Sequence, residues 1–161
     1  MSEVRNGSLG PTERTTVAFG ALATSAKKLN EVSGELAQPI ASLERALHRL
    51  SIGVACWTRI AGHDDGHNCW SQDLGYSMVN GEWRLAVRKI DGDDPENAIE
   101  NVWPFNEAPL YLRIRAVDKL PDLLEAFVKA TDAAANRLSK KVGPAQELAA
   151  AVNALAKSKG R

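Results

Sequence analysis

Cysteine and long apolar runs are both scarce in this sequence of 161 residues. A membrane-spanning helix needs about 20 consecutive apolar residues, and the longest apolar runs are far shorter. The amino end, MSEVRNGSLGPTERTT, lacks the apolar core of a secretory signal peptide. The two cysteines, Cys56 and Cys69, are typical of free thiols in a reducing compartment. We therefore expect a cytoplasmic protein without a membrane span.

Neither sign of charge is in excess, because twenty Lys and Arg residues balance twenty Asp and Glu residues. The chain thus has no overall field that would draw it to nucleic acid or to anionic lipid. The basic carboxyl end, AKSKGR, would give only weak and salt-sensitive contacts with phosphates. We expect neither a nucleic-acid partner nor a membrane partner.

Motifs of common enzyme classes are also missing. The sequence has no Gly-x-Ser-x-Gly elbow, no phosphate-binding glycine loop and no dinucleotide fingerprint. A thiolate pair between Cys56 or Cys69 and His63 or His67 remains an alternative, although proximity in sequence does not establish its geometry. We expect a non-catalytic protein without a cofactor.

A long helical pattern follows an aperiodic lead at residues 1–13, which we predict to be disordered. Apolar and small side chains recur at steps of three and four from residue 19 to residue 50. This heptad spacing predicts one long helix kinked at Pro39 or two helices nearly in line, since proline removes a backbone hydrogen bond from the helix interior. Its predicted interaction residues are Leu22, Leu29 and Leu36.

The same spacing returns from residue 120 to residue 155, with a second candidate break at Gly143-Pro144. We predict that the two apolar stripes pack on each other as a helical hairpin, or on the same segments of another copy. A compact bundle in which each helix folds back against the sheet stays open as an alternative. The predicted interaction residues of this second helix are Leu138, Leu148 and Val152.

Between the helices the hydrophobic period changes to two, which predicts strands. The segment SIGVACWTRI predicts the first strand, and Asn80-Gly81 is typical of a two-residue hairpin turn. The segment AIENVWPF predicts a fourth strand at an edge, because Pro104 cannot donate to a sheet ladder. A short helix is predicted in EAPLYLRIRAVDKL, which begins near Pro109.

The hairpin turn fixes a register in which one sheet face is apolar and the other is small or charged. The apolar face pairs Met78 with Trp83, and we expect helices to cover it. The other face carries Ser77, Arg84 and Arg88, and we expect it to meet water. Arginines there could bind a carboxylate or phosphate, whereas an ordinary cross-strand ion pair between Asp73 and Arg88 is the alternative.

These patterns predict an α+β fold: a long N-terminal helix, a three- to four-stranded antiparallel meander, and long C-terminal helices. The C-terminal helices are predicted to pack on the N-terminal helix and on one sheet face. A single domain would span residues 14–157, and residues 158–161 would form a frayed basic tail.

The segment GHDDGHNCW at residues 62–70 groups His63, His67 and Cys69, whose donor atoms suit zinc. Two histidines four residues apart share one side only on a helix, and the two glycines here disfavour a helix. We therefore interpret the segment first as a polar loop between strands. A zinc site that uses these three residues is the alternative.

The function predicted from the sequence is that of a cytoplasmic interaction protein. It would associate through its long amphipathic helices with itself, as a homo-oligomer, or with another protein. A small-ligand or metal-binding domain is the alternative function, with a site in the 62–70 segment or on the Arg84 and Arg88 sheet face.

Overall fold

The computed structural model describes residues 7–93 and 96–160. It confirms the predicted fold class: a long N-terminal helix, four antiparallel strands in one sheet, and C-terminal helices that contact the sheet. The elements are α1 (Pro11–Leu50), β1 (Cys56–Asp64), β2 (Cys69–Val79), β3 (Glu82–Gly92), β4 (Ile99–Pro104), a 3-10 turn (Phe105–Glu107), α2 (Leu110–Val117) and α3 (Leu120–Lys159).

The chain divides into two units between Ser42 and Leu43, inside α1. The first unit is helical from Pro11, so α1 begins within the range 1–13 that was predicted as a disordered lead. Pro11 suits the first helical position, where its missing N–H is not needed. The Glu13 carboxylate accepts a hydrogen bond from the Gly10 N–H at 3.2 Å, which caps this helix end. Residues 1–6 of the predicted lead lie outside the described residues.

The α1 helix is continuous through Pro39. Proline has no N–H to donate to the carbonyl four residues earlier, so this turn has one backbone hydrogen bond fewer than its neighbours. In the second unit, α3 likewise passes through Pro144 without a break. Each helix has 40 residues, which corresponds to about 60 Å at 1.5 Å per residue. At the end of α3, Arg161 of the predicted tail is not among the described residues.

The sheet in the second unit is an antiparallel meander in the order β1-β2-β3-β4. The predicted hairpin register is confirmed, with Met78 opposite Trp83 and Asp73 opposite Arg88. Asn80 and Gly81 both have positive φ, at 51° and 83°, as a two-residue type I′ turn requires. The fourth strand lies at the sheet edge, as its proline predicted.

Helices α2 and α3 cover most of the apolar sheet face, but the predicted cover does not extend to Met78 near the hairpin turn, which is 52% exposed. The side chains of Leu74, Leu85 and Val87 are fully buried there. The ring of Phe127 on α3 meets the edge of the Tyr76 ring, with the ring centres 5.5 Å apart. The core of this unit is therefore the layer between the sheet on one side and α2 with the first turns of α3 on the other.

The first strand is displaced from its predicted position. It begins at Cys56 rather than at Ser51, because Ser51 and Gly53 have positive φ and carry the chain out of α1. It also continues to Asp64, into the segment that was predicted as a loop. Among the described helices, none is both long and apolar enough to cross a membrane.

Candidate functional site

The 62–70 segment is mostly strand, which corrects its interpretation as a loop. Gly62, His63 and Asp64 belong to β1, and Cys69 and Trp70 belong to β2, so only residues 65–68 connect the strands. His63 pairs with Trp70, and Asp64 pairs with Cys69. The sequence pattern concealed this extension because glycine is uncommon within strands. A side chain at position 62 would bring its Cβ to 2.6 Å from Nη1 of Arg59, so glycine fits this close approach.

The two aspartates of the segment organise its turn. Oδ1 of Asp65 accepts hydrogen bonds from the N–H groups of His67 and Asn68, at 2.9 and 2.7 Å. Oδ1 of Asp64 accepts one from the Gly66 N–H at 2.9 Å. The bonds from His67 and Asn68 lower the pKa of the Asp65 carboxyl, so this group stays ionised to more acidic pH. Both carboxylates thus act within the turn itself.

The proposed zinc ligands occupy different parts of this hairpin. His63 and Cys69 line an open cleft of about 470 Å³ together with Arg59 and Trp70, whereas His67 lies in the turn. Nε2 of His63 lies 3.3 Å from Oδ2 of Asp65. Within the described ranges, no three His, Cys, Asp or Glu side chains form a group that could hold a metal ion.

Asp73 is the centre of a charged cluster on the sheet face opposite α2 and α3, called here the open face. Its carboxylate is 95% buried yet accepts a hydrogen bond from Nε of Arg59 at 2.7 Å and from Nε of Arg88 at 3.2 Å. The Ser71 hydroxyl donates to the same carboxylate at 3.2 Å. The predicted ion pair between Asp73 and Arg88 is therefore present, and Arg59 extends it to a third strand.

Trp57 covers part of the open face, which was predicted to meet water. A Cβ at Gly75 would overlap the indole ring, so glycine lets this ring lie flat on β2. The Arg88 guanidinium lies 4.1 Å from the centre of the Trp57 ring, a cation–π contact. Ala86 beside it on the same face is fully buried. The sequence placed Trp57 beside Arg59 but gave no register between β1 and β2, so this cover was not predicted.

Arg84 and Ser77 are separated from this cluster. Nε of Arg84 donates to Oε1 of Glu44 on α1 at 3.1 Å, and Ser77 is half-buried opposite Arg84. The predicted pair of arginines on one sheet face is therefore divided between two settings. Arg88 belongs to the Asp73 cluster, and Arg84 belongs to a cleft beside the end of α1.

Both long helices present apolar side chains to solvent. All residues from 7 to 32 are exposed, and so are all residues from 135 to 160. The N-terminal stripe consists of Phe19, Leu22, Leu29 and Val32 on α1, and the C-terminal stripe consists of Leu138, Val142, Leu148, Val152 and Leu155 on α3. Of the helix residues predicted to interact, only Leu36 is half-buried.

Charged residues avoid the N-terminal stripe. With Phe19 at heptad position a, the stripe occupies positions a, d and g, and Ala18, Ala23 and Ser25 fill neighbouring flanking positions. Within residues 7–42, the described part of this unit, the charged residues all fall at positions b, c or f, away from the stripe; they are Glu13, Arg14, Lys27, Lys28, Glu31 and Glu35. The uncharged face is consequently wider than an a and d seam alone.

The C-terminal stripe has a similar character with two exceptions. With Leu138 at heptad position a, its flanking positions hold mainly alanine, including Ala149, Ala151 and Ala156. Arg137 occupies one flanking position, and Lys141 interrupts the d positions.

Comparisons with protein-family models, with curated proteins and with solved structures give no match to this chain. The residues and their geometry are thus the basis on which function is inferred.

Proposed function

We propose that this chain is a non-catalytic interaction protein whose two long helices pack on those of a second copy. The observation that carries this proposal is the exposure of the C-terminal stripe: past Ala134, α3 has no residue that is even half-buried, yet leucine and valine keep their heptad spacing. A solvated helix needs no such spacing, whereas a helix in a bundle does.

The energetic balance favours burial of the stripes. Nine large apolar side chains per chain lie on them, with Leu138 and Leu148 each 67% exposed. Covering a side chain that is already partly covered contributes about 1 kcal/mol. In a pair of chains the total of about 18 kcal/mol exceeds the estimated cost of association, about 4–15 kcal/mol.

The distribution of charge favours a second copy as the partner. Since the charged residues between positions 7 and 42 lie at heptad positions b, c and f, two identical N-terminal stripes can meet without like charges in contact. Uncharged flanking positions also suit a bundle of more than two helices, in which each helix needs a wide apolar face. Two chains would supply four such helices.

Paired variants with matched controls test the proposal. We expect Leu148→Glu with Val152→Glu, and separately Leu22→Glu with Leu29→Glu, to shift the sedimentation coefficient from that of an oligomer to that of a monomer. Buried glutamates would face the partner helix without a counter-charge. The controls Ala150→Glu and Thr24→Glu add the same side chain at position f of the same helices and should leave the oligomer intact.

Circular dichroism of each variant distinguishes loss of the oligomer from unfolding of the chain. The substituted positions are exposed in a single chain, so the helical signal of a monomeric variant should stay at the level of its control. If the stripe variants and the controls sediment alike, self-association through these helices is wrong. The alternative function, binding of a small ligand or zinc at the 62–70 segment, would then be examined by thermal shift with Zn²⁺, where a selective rise in Tm supports it.

A further inference from the structure

A second surface with binding potential lies at the hairpin end of the sheet, in an open cleft of about 460 Å³. The last two turns of α1 form one wall, and the start of β3 from Gly81 to Arg84 forms the other. Clefts of this volume hold small molecules in other proteins. This basic cleft contains three arginines, and its α1 wall consists of Glu44, Arg45, His48 and Arg49.

Glu44 positions one of these arginines. Its Oε1 accepts a hydrogen bond from Nε of Arg84 at 3.1 Å, and its Oε2 accepts one from the Leu85 N–H at 3.0 Å. That N–H lies on the part of β3 beyond β4, whose pairing begins opposite Ala86. Glu44 thereby accepts the hydrogen bond of a backbone N–H at this strand edge and holds the Arg84 guanidinium in place. Both carboxylate oxygens of Glu44 are engaged in these two contacts.

The remaining charge of the basic cleft is positive. Three arginines stand against two glutamates, Glu44 and Glu82, which leaves one positive charge in excess when His48 is neutral. Among the described residues, the side chains of His48 and Arg49 have no hydrogen-bond or ion-pair partner. Both lie in the last turn of α1, where a cation also stabilises the helix dipole. Their donor groups are available to an anion.

Trp83 adds an aromatic surface to the basic cleft. Its ring stacks on the Tyr76 ring with the ring centres 5.7 Å apart and an angle of 20° between the planes. One side of the indole is therefore supported by the core, and the ring is held in a fixed orientation. A planar group of a ligand could lie against such a ring without first ordering it.

The opposite end of the sheet carries acidic side chains. Asp64 and Asp65 lie where β1 ends, and Asp91 and Asp93 lie where β3 ends. Ten residue steps along β3 separate this end from the hairpin turn, which corresponds to about 33 Å. At that separation salt largely screens one end from the other, so the cleft's own positive charge governs its choice of ligand.

We infer that the basic cleft binds a small molecule in which a phosphate monoester is attached to a planar ring. Guanidinium groups pair with phosphate oxygens through charge-assisted hydrogen bonds, and Arg49 and Arg84 supply them. Trp83 contacts the planar ring. This inference concerns a surface separate from the two stripes and does not rest on self-association.

Phenyl phosphate is the probe, and amide and indole shifts in the NMR spectrum of the full chain are the readout. We expect saturable shifts at the Gly81 amide and the Trp83 indole N–H. Arg49→Ala should weaken binding by about tenfold or more, because it removes a charge-assisted hydrogen bond. The matched control is Arg14→Ala, which removes an exposed arginine from the first unit, outside the basic cleft, and should leave the affinity unchanged.

Three further probes identify which parts of the ligand matter. Phenol should give no saturable shift, and inorganic phosphate should bind several-fold more weakly than phenyl phosphate. A single-stranded oligonucleotide should bind no better per phosphate than inorganic phosphate. The inference is overturned if phenyl phosphate gives no saturable shift at these two groups, if Arg49→Ala and Arg14→Ala weaken its binding equally, or if the oligonucleotide binds as well per phosphate as phenyl phosphate.

Discussion

Asp73 combines deep burial with a charge, and the two arginines beside it offset the cost of that burial. Loss of the ion partners of a buried carboxylate destabilises a protein by several kcal/mol. Loss of the carboxylate charge beside its two arginines must also be unfavourable. When the carboxylate is replaced by an amide, Arg59 and Arg88 face a neutral group across the open face. The cluster therefore contributes to the joining of β1, β2 and β3.

We predict that Asp73→Asn lowers the free energy of unfolding by about 2 kcal/mol, as measured by urea denaturation. The matched control is Asp91→Asn, since the Asp91 side chain is 51% exposed and pairs with Lys89 at 3.0 Å. Exposed ion pairs are worth about 0–1 kcal/mol, so the control should change little. Equal losses in the two variants would contradict the role of the Asp73 cluster.

The two free thiols should differ in reactivity. Burial raises the pKa of the Cys56 thiol, whereas Cys69 is only half-buried. Only the thiolate reacts with iodoacetamide, so Cys56 should be alkylated more slowly than Cys69 in the folded chain at mildly alkaline pH. In urea the two rates should converge. Peptide mapping by mass spectrometry measures both rates, and faster alkylation of Cys56 in the folded chain would contradict its burial.

The sign of the pH dependence at Cys56 follows from the same shift. The folded chain holds the proton more tightly than the unfolded chain does. The stabilising contribution is complete below the unfolded pKa of the thiol and is lost as pH rises through the higher folded pKa. Cys56→Ser should therefore reduce the loss of stability on the alkaline side.

At the scale of elements, the hairpin is the feature that the sequence determined most completely. The Asn80-Gly81 pair requires positive φ at both positions, and this fixed every pairing between β2 and β3. The sequence did not predict the register in which β1 pairs with β2. No two-residue turn sets its register, and an irregularity between Arg59 and Ala61 shifts it. The Trp57 cover of the open face depends on that register.

The ends of helices and strands could likewise be predicted only where a local sequence signal marks them. The start of α1 at Pro11 carries a local signal, since proline at the first helical position and glutamate two residues later form a cap. The extension of β1 into the 62–70 segment carries none, because Gly62 lies in a strand beside the Arg59 side chain and the Trp70 carbonyl rather than in a turn. Local sequence patterns do not predict tertiary contacts of this kind.

Two glycine substitutions should have opposite effects. Gly81→Ala places a Cβ at φ +83°, and we predict a loss of about 1 kcal/mol in the free energy of unfolding. Gly34→Ala lies within α1 with no atom within 4 Å of the added Cβ, so it should stabilise the helix by up to about 1 kcal/mol. Thermal denaturation of both variants checks the signs. A neutral Gly81→Ala would contradict the type I′ turn.

At the scale of the whole molecule, the buried core and the exposed stripes have different roles. The sheet, α2 and the first turns of α3 bury the core, which ends near Ala134. The rest of α3 and residues 11–32 of α1 add no burial to a single chain. We propose that the sheet unit supports the helices while the helices make the contacts between chains.

Sedimentation equilibrium of the unmodified chain over a wide concentration series tests this central proposal most directly. We predict a weight-average mass that rises with concentration to a plateau at a whole multiple of the mass of one chain. The stripes would be covered at that plateau, so added sulfate, a salt that strengthens apolar burial, should strengthen rather than weaken the association. A mass that stays at one chain across the series would contradict the proposed self-association.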